Sequence, residues 1–181
     1  MADARPWPWI QARLYSLIAR DPRSNRLAVD LCDLNSDSRF LDIGCGPGAA
    51  VRAAGRVAAG ATGLDNSLAM IDIARSRARE FPNVEFVHGS AESLPLPDAA
   101  FTHAVTVHAF HHWDNQQAGI TEALRVLRPQ GTLLIIERAT RGRHGLTEMK
   151  ARALADRLQA SGFAEAEVST HDKEIAVRGG R

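Results

Sequence analysis

Residues 40–48 read Phe-Leu-Asp-Ile-Gly-Cys-Gly-Pro-Gly, an apolar strand-forming run that opens into a loop with glycine at 44, 46 and 48. An alanine-rich stretch with helical character, Ala49 to about Ala59, follows it. Glycine has no Cβ, so the backbone can turn tightly there and a ligand can approach it closely. The next helix would turn its N-terminal N–H groups and the positive end of its dipole toward that ligand. Strand, glycine loop and helix in this order commit a chain to α/β layering and mark a pocket for a nucleoside-bearing ligand. Gly44-x-Gly46-x-x-Ala49 fits the dinucleotide fingerprint in its Gly/Ala form. Asp65 follows about 20 residues on, where a carboxylate can accept from ribose hydroxyls. The same spacing suits an adenosine site of another kind, so the loop alone leaves the ligand open.

Downstream, strands and helices alternate. Strands are expected at Phe40–Ile43, Ala61–Leu64, Val84–His88, Phe101–Val107 and Thr132–Ile136. Ser67 is a good N-cap for a helix running to about Glu80, and Asp114 or Asn115 starts another that Pro129-Gln130-Gly131 ends. A helix over Leu146–Ala160 precedes two strands, near 166–170 and 174–178, joined by His171-Asp172 in a hairpin. The expected fold is α/β: a Rossmann-like, doubly wound, mainly parallel sheet of about seven strands with a terminal antiparallel hairpin. Residues 1–35 read as a helical segment separate from the core, and 36–181 as the main domain. Trp7, Trp9 and Tyr15 in the first segment would pack onto the domain or cover a ligand. Ligands in such sheets bind beyond the carboxyl ends of the strands. The loops 44–48, 65–66, 89–92 and 108–113 should therefore meet.

Lys plus Arg number 22 and Asp plus Glu 21, a formal charge of +1, so the balance calls for neither nucleic acid nor an anionic membrane. Cys32 and Cys45 are too few for a disulfide framework, which favours a reducing cytoplasm. Gln11 and Arg13 interrupt any secretory apolar run, and no stretch is long enough to span a bilayer.

Five segments carry a resemblance: Leu41–Gly48, Gly63-Leu-Asp-Asn-Ser67, Ala91-Glu-Ser-Leu-Pro-Leu-Pro97, His111-His112-Trp113 and Arg125–Thr132. In this order they resemble the class I S-adenosylmethionine-dependent methyltransferases, of the small-molecule branch that includes the ubiquinone/menaquinone-biosynthesis type. The resemblance implies that Asp42 and the loop Gly44, Cys45, Gly46 and Gly48 hold the methionine part of S-adenosylmethionine. It places Asp65 on the ribose, Asn66, Ser90 and Ala91 around adenine, and the backbone near His108 toward the methionine amino group. The product would be S-adenosylhomocysteine and the partner a small-molecule methyl acceptor, with the protein a monomer or homodimer. Two residues depart from the pattern. Ser90 stands where many relatives carry Asp, with Glu92 available to assist. Gln130 stands where Gly is usual and is strained if the turn needs positive φ.

Methyl transfer needs alignment, and a base only where the nucleophile must lose a proton. His108 is the candidate for that base, while one of His111 and His112 would order the loop. No carboxylate or thiolate completes an evident ligand set with them, so no metal is expected. Arg138, Arg141 and Arg143 would lie at the pocket rim. A catalytically silent cofactor-binding domain and a nicotinamide-dependent oxidoreductase are the alternatives.

Overall fold

The computed structural model describes residues 22–140 and 145–181. Trp7, Trp9, Tyr15, Arg141 and Arg143 lie outside the described residues. The described strands are β1 Arg39–Ile43, β2 Gly60–Asp65, β3 Val84–His88, β4 Phe101–Val107, β5 Leu127–Arg138, β6 Glu165–His171 and β7 Glu174–Gly180. The helices are α1 Pro22–Cys32, α2 Ala49–Ala54, α3 Leu68–Arg77, α4 Gln116–Val126 and α5 Glu148–Ala160. The strands form one sheet in the order β3-β2-β1-β4-β5-β7-β6. β1 to β5 pair in parallel, and β7 runs antiparallel to both β5 and β6.

Side chains on a strand alternate between faces, and here both faces are covered. Leu133 and Ile135 of β5 face α4 and α5 in one core with Leu41, Ile43, Ile120 and Leu158. Leu134 and Ile136 face the other way, packing with Phe40 and Val105 under α1, α2 and α3. A strand buried on both sides needs a continuous apolar run, and 133–136 supplies it. Of the first segment, residues 22–35 are described, and Ala28 and Cys32 of α1 are buried in that second core.

Three boundaries differ from the expectation. α2 ends at Ala54, short of Ala59, and the Gly55 that follows lies so close to β3 that a Cβ there would meet Val84 Cγ2 at 2.5 Å. α3 ends at Arg77, where Ala78 turns inward and is buried. β5 starts at Leu127, with its ladder to β4 shifted between Phe101 and His103. The extra residues around Pro129 form an irregularity in which a missing N–H is tolerated. Gln130 sits there at φ 66°, so the strain foreseen for it is present. N-capping follows expectation: Ser67 accepts from the Met70 amide and Asn115 from the Ala118 amide.

Candidate functional site

The glycine loop is bound to β2. The Gly44 and Cys45 amides both donate to the Leu64 carbonyl, at 2.7 and 2.9 Å, and the Gly48 amide donates to the Cys45 carbonyl at 2.9 Å. The Gly46 amide donates to Asp65 Oδ2 at 2.8 Å. These N–H groups are used within the protein, and α2 has six residues, so its N-terminal pull is smaller than the longer helix foreseen would give. Gly44 adopts φ 82°, and a Cβ on it would meet the Ala109 Cβ at 2.5 Å. That contact joins the loop after β1 to the loop after β4.

Two carboxylates flank this loop. Asp42 is 2% exposed and its Oδ1 has no hydrogen-bond partner. Burial, and secondarily the charge of Asp65, pushes its carboxyl up to about 8. Asp65 is also buried, accepting from the Ser67 amide at 2.9 Å as well as from Gly46. Burial raises its carboxyl above the ordinary value even though both amides and His88 oppose the shift. Each Asp65 oxygen keeps a lone pair for a further donor. Cys45 is buried within the loop, and burial raises its thiol well above its usual range, which disfavours the thiolate.

Asn66 is exposed beside β3, and its carbonyl is held by His88 Nε2 at 3.1 Å. Ser90 and Glu92 bond each other through their side chains, and Ala91 between them is buried. Glu92 also accepts from the Asn115 amide at 3.3 Å. Burial alone would raise the Glu92 carboxyl, but these donors together hold it below its ordinary range. Arg125 ties down the proline-rich loop by donating to the Leu94 and Leu96 carbonyls at 2.9 Å, and it pairs with Glu122 and Asp98.

The histidines after β4 diverge. His108 takes φ 53°, and its Nε2 lies 2.8 Å from Glu174 Oε2 at the start of β7. The other oxygen of Glu174 accepts from Ser24 Oγ of α1 at 2.7 Å. Burial works to raise the Glu174 carboxyl, yet these two partners and the charges of His108 and Arg138 hold it low. His111 turns to the opposite face of the sheet. Its amide and its Nδ1 reach Glu137, which is 1% exposed, at 3.2 and 2.9 Å. The expected loop-ordering histidine is thus His111, acting through a buried carboxylate. Ser24, Glu137 and Glu174 were not singled out from sequence. Only Glu137 left a signal, as a charge closing an apolar strand.

The described loops after β1, β2, β3 and β4 all lie at the carboxyl edge of the parallel strands. Among the described residues, cavities lie at both ends of the sheet. One, about 320 Å³, opens at the other end of the sheet beside Arg39, Gly60 and Phe101. The second, about 370 Å³, lies at the carboxyl edge between the turn after β4 and α5.

The profile of the methyltransferase domain family matches residues 41–135. The demethylmenaquinone methyltransferase of Tropheryma whipplei is 33% identical over 118 residues, which cover 65% of this chain and 49% of that protein. The fatty-acid O-methyltransferase of Mycolicibacterium smegmatis is 37% identical over 120 residues, covering 65% and 42%. The chain therefore matches about half the length of these curated relatives or less. A SAM-dependent methyltransferase structure from Aquifex aeolicus superposes with a TM-score of 0.73 at 17% identity, covering 96% of this chain and 98% of that one, a likeness of fold. The matched profile spans more than half of the sequence and takes in the glycine loop, Asp42, Asp65, Ser90 and His108: the chain belongs to the methyltransferase domain family, whose methyl donor is S-adenosylmethionine.

Proposed function

We propose that the chain binds S-adenosylmethionine along the carboxyl edge of β1, β2 and β3 and passes its methyl group to a small organic acceptor near the turn after β4. The observation that carries this reading is Asp42 Oδ1, a buried oxygen without a donor. Such an atom costs free energy unless something pairs with it. The ammonium of the cofactor's methionine part supplies both the donors and the counter-charge. Asp65 fits the ribose hydroxyls through its remaining lone pairs, while Asn66, Ser90 and Ala91 border the adenine. The residues present therefore fit the group. When bound, it supplies a methyl carbon made electrophilic by a sulfonium.

The chain's own residues then align the acceptor and keep water out. His108 is the candidate base. Its Nε2 faces Glu174, so Nδ1 is the nitrogen free to take a proton from an acceptor. The named relatives act on a quinone precursor and a fatty acid, which supports an acceptor with an apolar body. Cys32 and Cys45 are both free and buried, in keeping with a reducing cytoplasm.

Calorimetry with S-adenosylhomocysteine at pH 7 tests the binding half, and absence of heat at high micromolar ligand defeats it. Release of S-adenosylhomocysteine across a panel of phenols, quinols, amines and carboxylic acids tests the transfer. His108→Ala should lower kcat by about 10²-fold or more for acceptors that must lose a proton, with cofactor affinity kept. Binding with no turnover anywhere on the panel identifies a silent domain instead.

A further inference from the structure

The cavity of about 370 Å³ at the carboxyl edge has a composition that the methyl donor does not explain. One wall is the turn after β4, through Phe110 and His111. Ala109, next in the chain, touches the cofactor loop at Gly44, so a single turn separates the cavity from the donor site. The opposite wall is α5. Lys150, Leu154 and Arg157 lie on one stripe of that helix, spaced by four and three residues. Leu146 and Leu154 add apolar surface to that of Phe110.

Arg157 is the unexplained group. Its guanidinium sits 5.5 Å over the Phe110 ring, and its Nη2 donates to Gln116 Oε1 at 3.0 Å. Its Nε is buried with no partner, and no carboxylate among the described residues pairs with it. A guanidinium stays charged in proteins, so a partly buried one without a counter-ion is costly. The acidic residue nearest by lining, Glu137, is already covered on both oxygens by His111 Nδ1, at 3.0 and 2.9 Å. What Arg157 lacks, among the described residues, is a carboxylate paired with it.

We infer that this cavity anchors the acceptor away from its reacting group and takes a small organic acid, with the carboxylate between Lys150 and Arg157 and the apolar body against Phe110, Leu146 and Leu154, so that the reacting end extends out to the carboxyl edge toward His108. Guanidinium and carboxylate match in geometry and form charge-assisted hydrogen bonds. The volume suits a ligand of modest size. The acceptor role rests on the methyltransferase reading above; the occupancy of the cavity does not.

The experiment is a backbone-amide NMR titration of the full chain with benzoate, with its neutral isostere benzamide and with inorganic phosphate, beside S-adenosylhomocysteine calorimetry. Benzoate should shift the amides of Phe110, His111 and Leu154 and bind about tenfold more tightly than benzamide. Arg157→Met and Lys150→Met should each weaken benzoate by about three- to tenfold and leave S-adenosylhomocysteine affinity unchanged. Lys150 is exposed, so its variant carries the test if Arg157→Met does not fold. Equal affinity for benzoate and benzamide, equal affinity for phosphate, shifts confined to other residues, or variants without effect would each overturn the inference. S-adenosylhomocysteine binding with no benzoate shift removes the acid subsite and leaves the methyltransferase reading intact. Benzoate binding without S-adenosylhomocysteine binding removes the acceptor role.

Discussion

Asp42→Asn takes one titratable group out of a buried site and keeps its shape. The wild-type carboxyl is raised from 3.8 to about 8, chiefly by burial. A carboxyl whose folded value lies above its unfolded value stabilises the fold fully below the unfolded value, and that stability is lost as pH rises through the folded one. The window is therefore from about pH 4 to about pH 8. Each unit of pH within it costs about 1.4 kcal/mol, so at pH 7 the wild type has given up about 4 kcal/mol through this group alone. The asparagine variant cannot titrate there and should lack this slope. Its unpaired amide costs about 1–3 kcal/mol at every pH, which shifts its curve without tilting it. Urea unfolding of both proteins at pH 5, 6, 7 and 8 reads the difference, because groups remote from position 42 titrate alike in the two. The same logic reaches the ligand. At pH 7 the wild-type carboxyl is mostly protonated, and an arriving ammonium should expel close to one proton. Binding enthalpies of S-adenosylhomocysteine in Tris and in phosphate should differ accordingly for the wild type and agree for the variant. The variant should also bind the ligand at least tenfold more weakly. Parallel stability curves from pH 5 to 8, or equal wild-type enthalpies in the two buffers, would refute the assignment of Asp42 as the buried partner of a ligand cation.

Gly44→Ala combines a left-handed φ of 82° with a 2.5 Å approach to Ala109, so it should cost about 2–4 kcal/mol in urea unfolding and abolish S-adenosylhomocysteine binding. Gln130→Gly relieves the φ of 66° and should raise stability by about 0.5–1 kcal/mol, a rise of a few degrees in Tm by calorimetry. Glu137→Ala strands the His111 amide and ring on a buried face and should lower stability by about 2–3 kcal/mol, read by the same denaturation. Glu174→Gln keeps the Ser24 contact but loses the charge facing His108. The pH profile of kcat should move while cofactor affinity holds, and an unchanged profile would show that Glu174 only anchors α1.

Much of this protein is written locally. The alternation of apolar runs with capped helical stretches sets the layering, since backbone stereochemistry and side-chain period act over a few residues. Ser67 and Asn115 cap where their side chains reach the first turn. Glycine at 44, 46 and 48 fixes a loop in which all three glycines take a positive φ. The sequence therefore determined the sheet, its carboxyl edge, and the placing of Asp42 and Asp65 beside the loop. It also indicated strain at Gln130. Tertiary structure decided how charges pair. Ser24 meets Glu174 from 150 residues away, Glu174 meets His108 from 66, and Glu137 meets His111 from 26. No local period links such pairs. They exist because β7 returns antiparallel against β5 and because His108 and His111, three residues apart, turn to opposite faces of the sheet. Arg157 beside a cavity is of the same kind. Its helical stripe is legible in the sequence, but the lack of a paired carboxylate among the described residues becomes visible only in the fold.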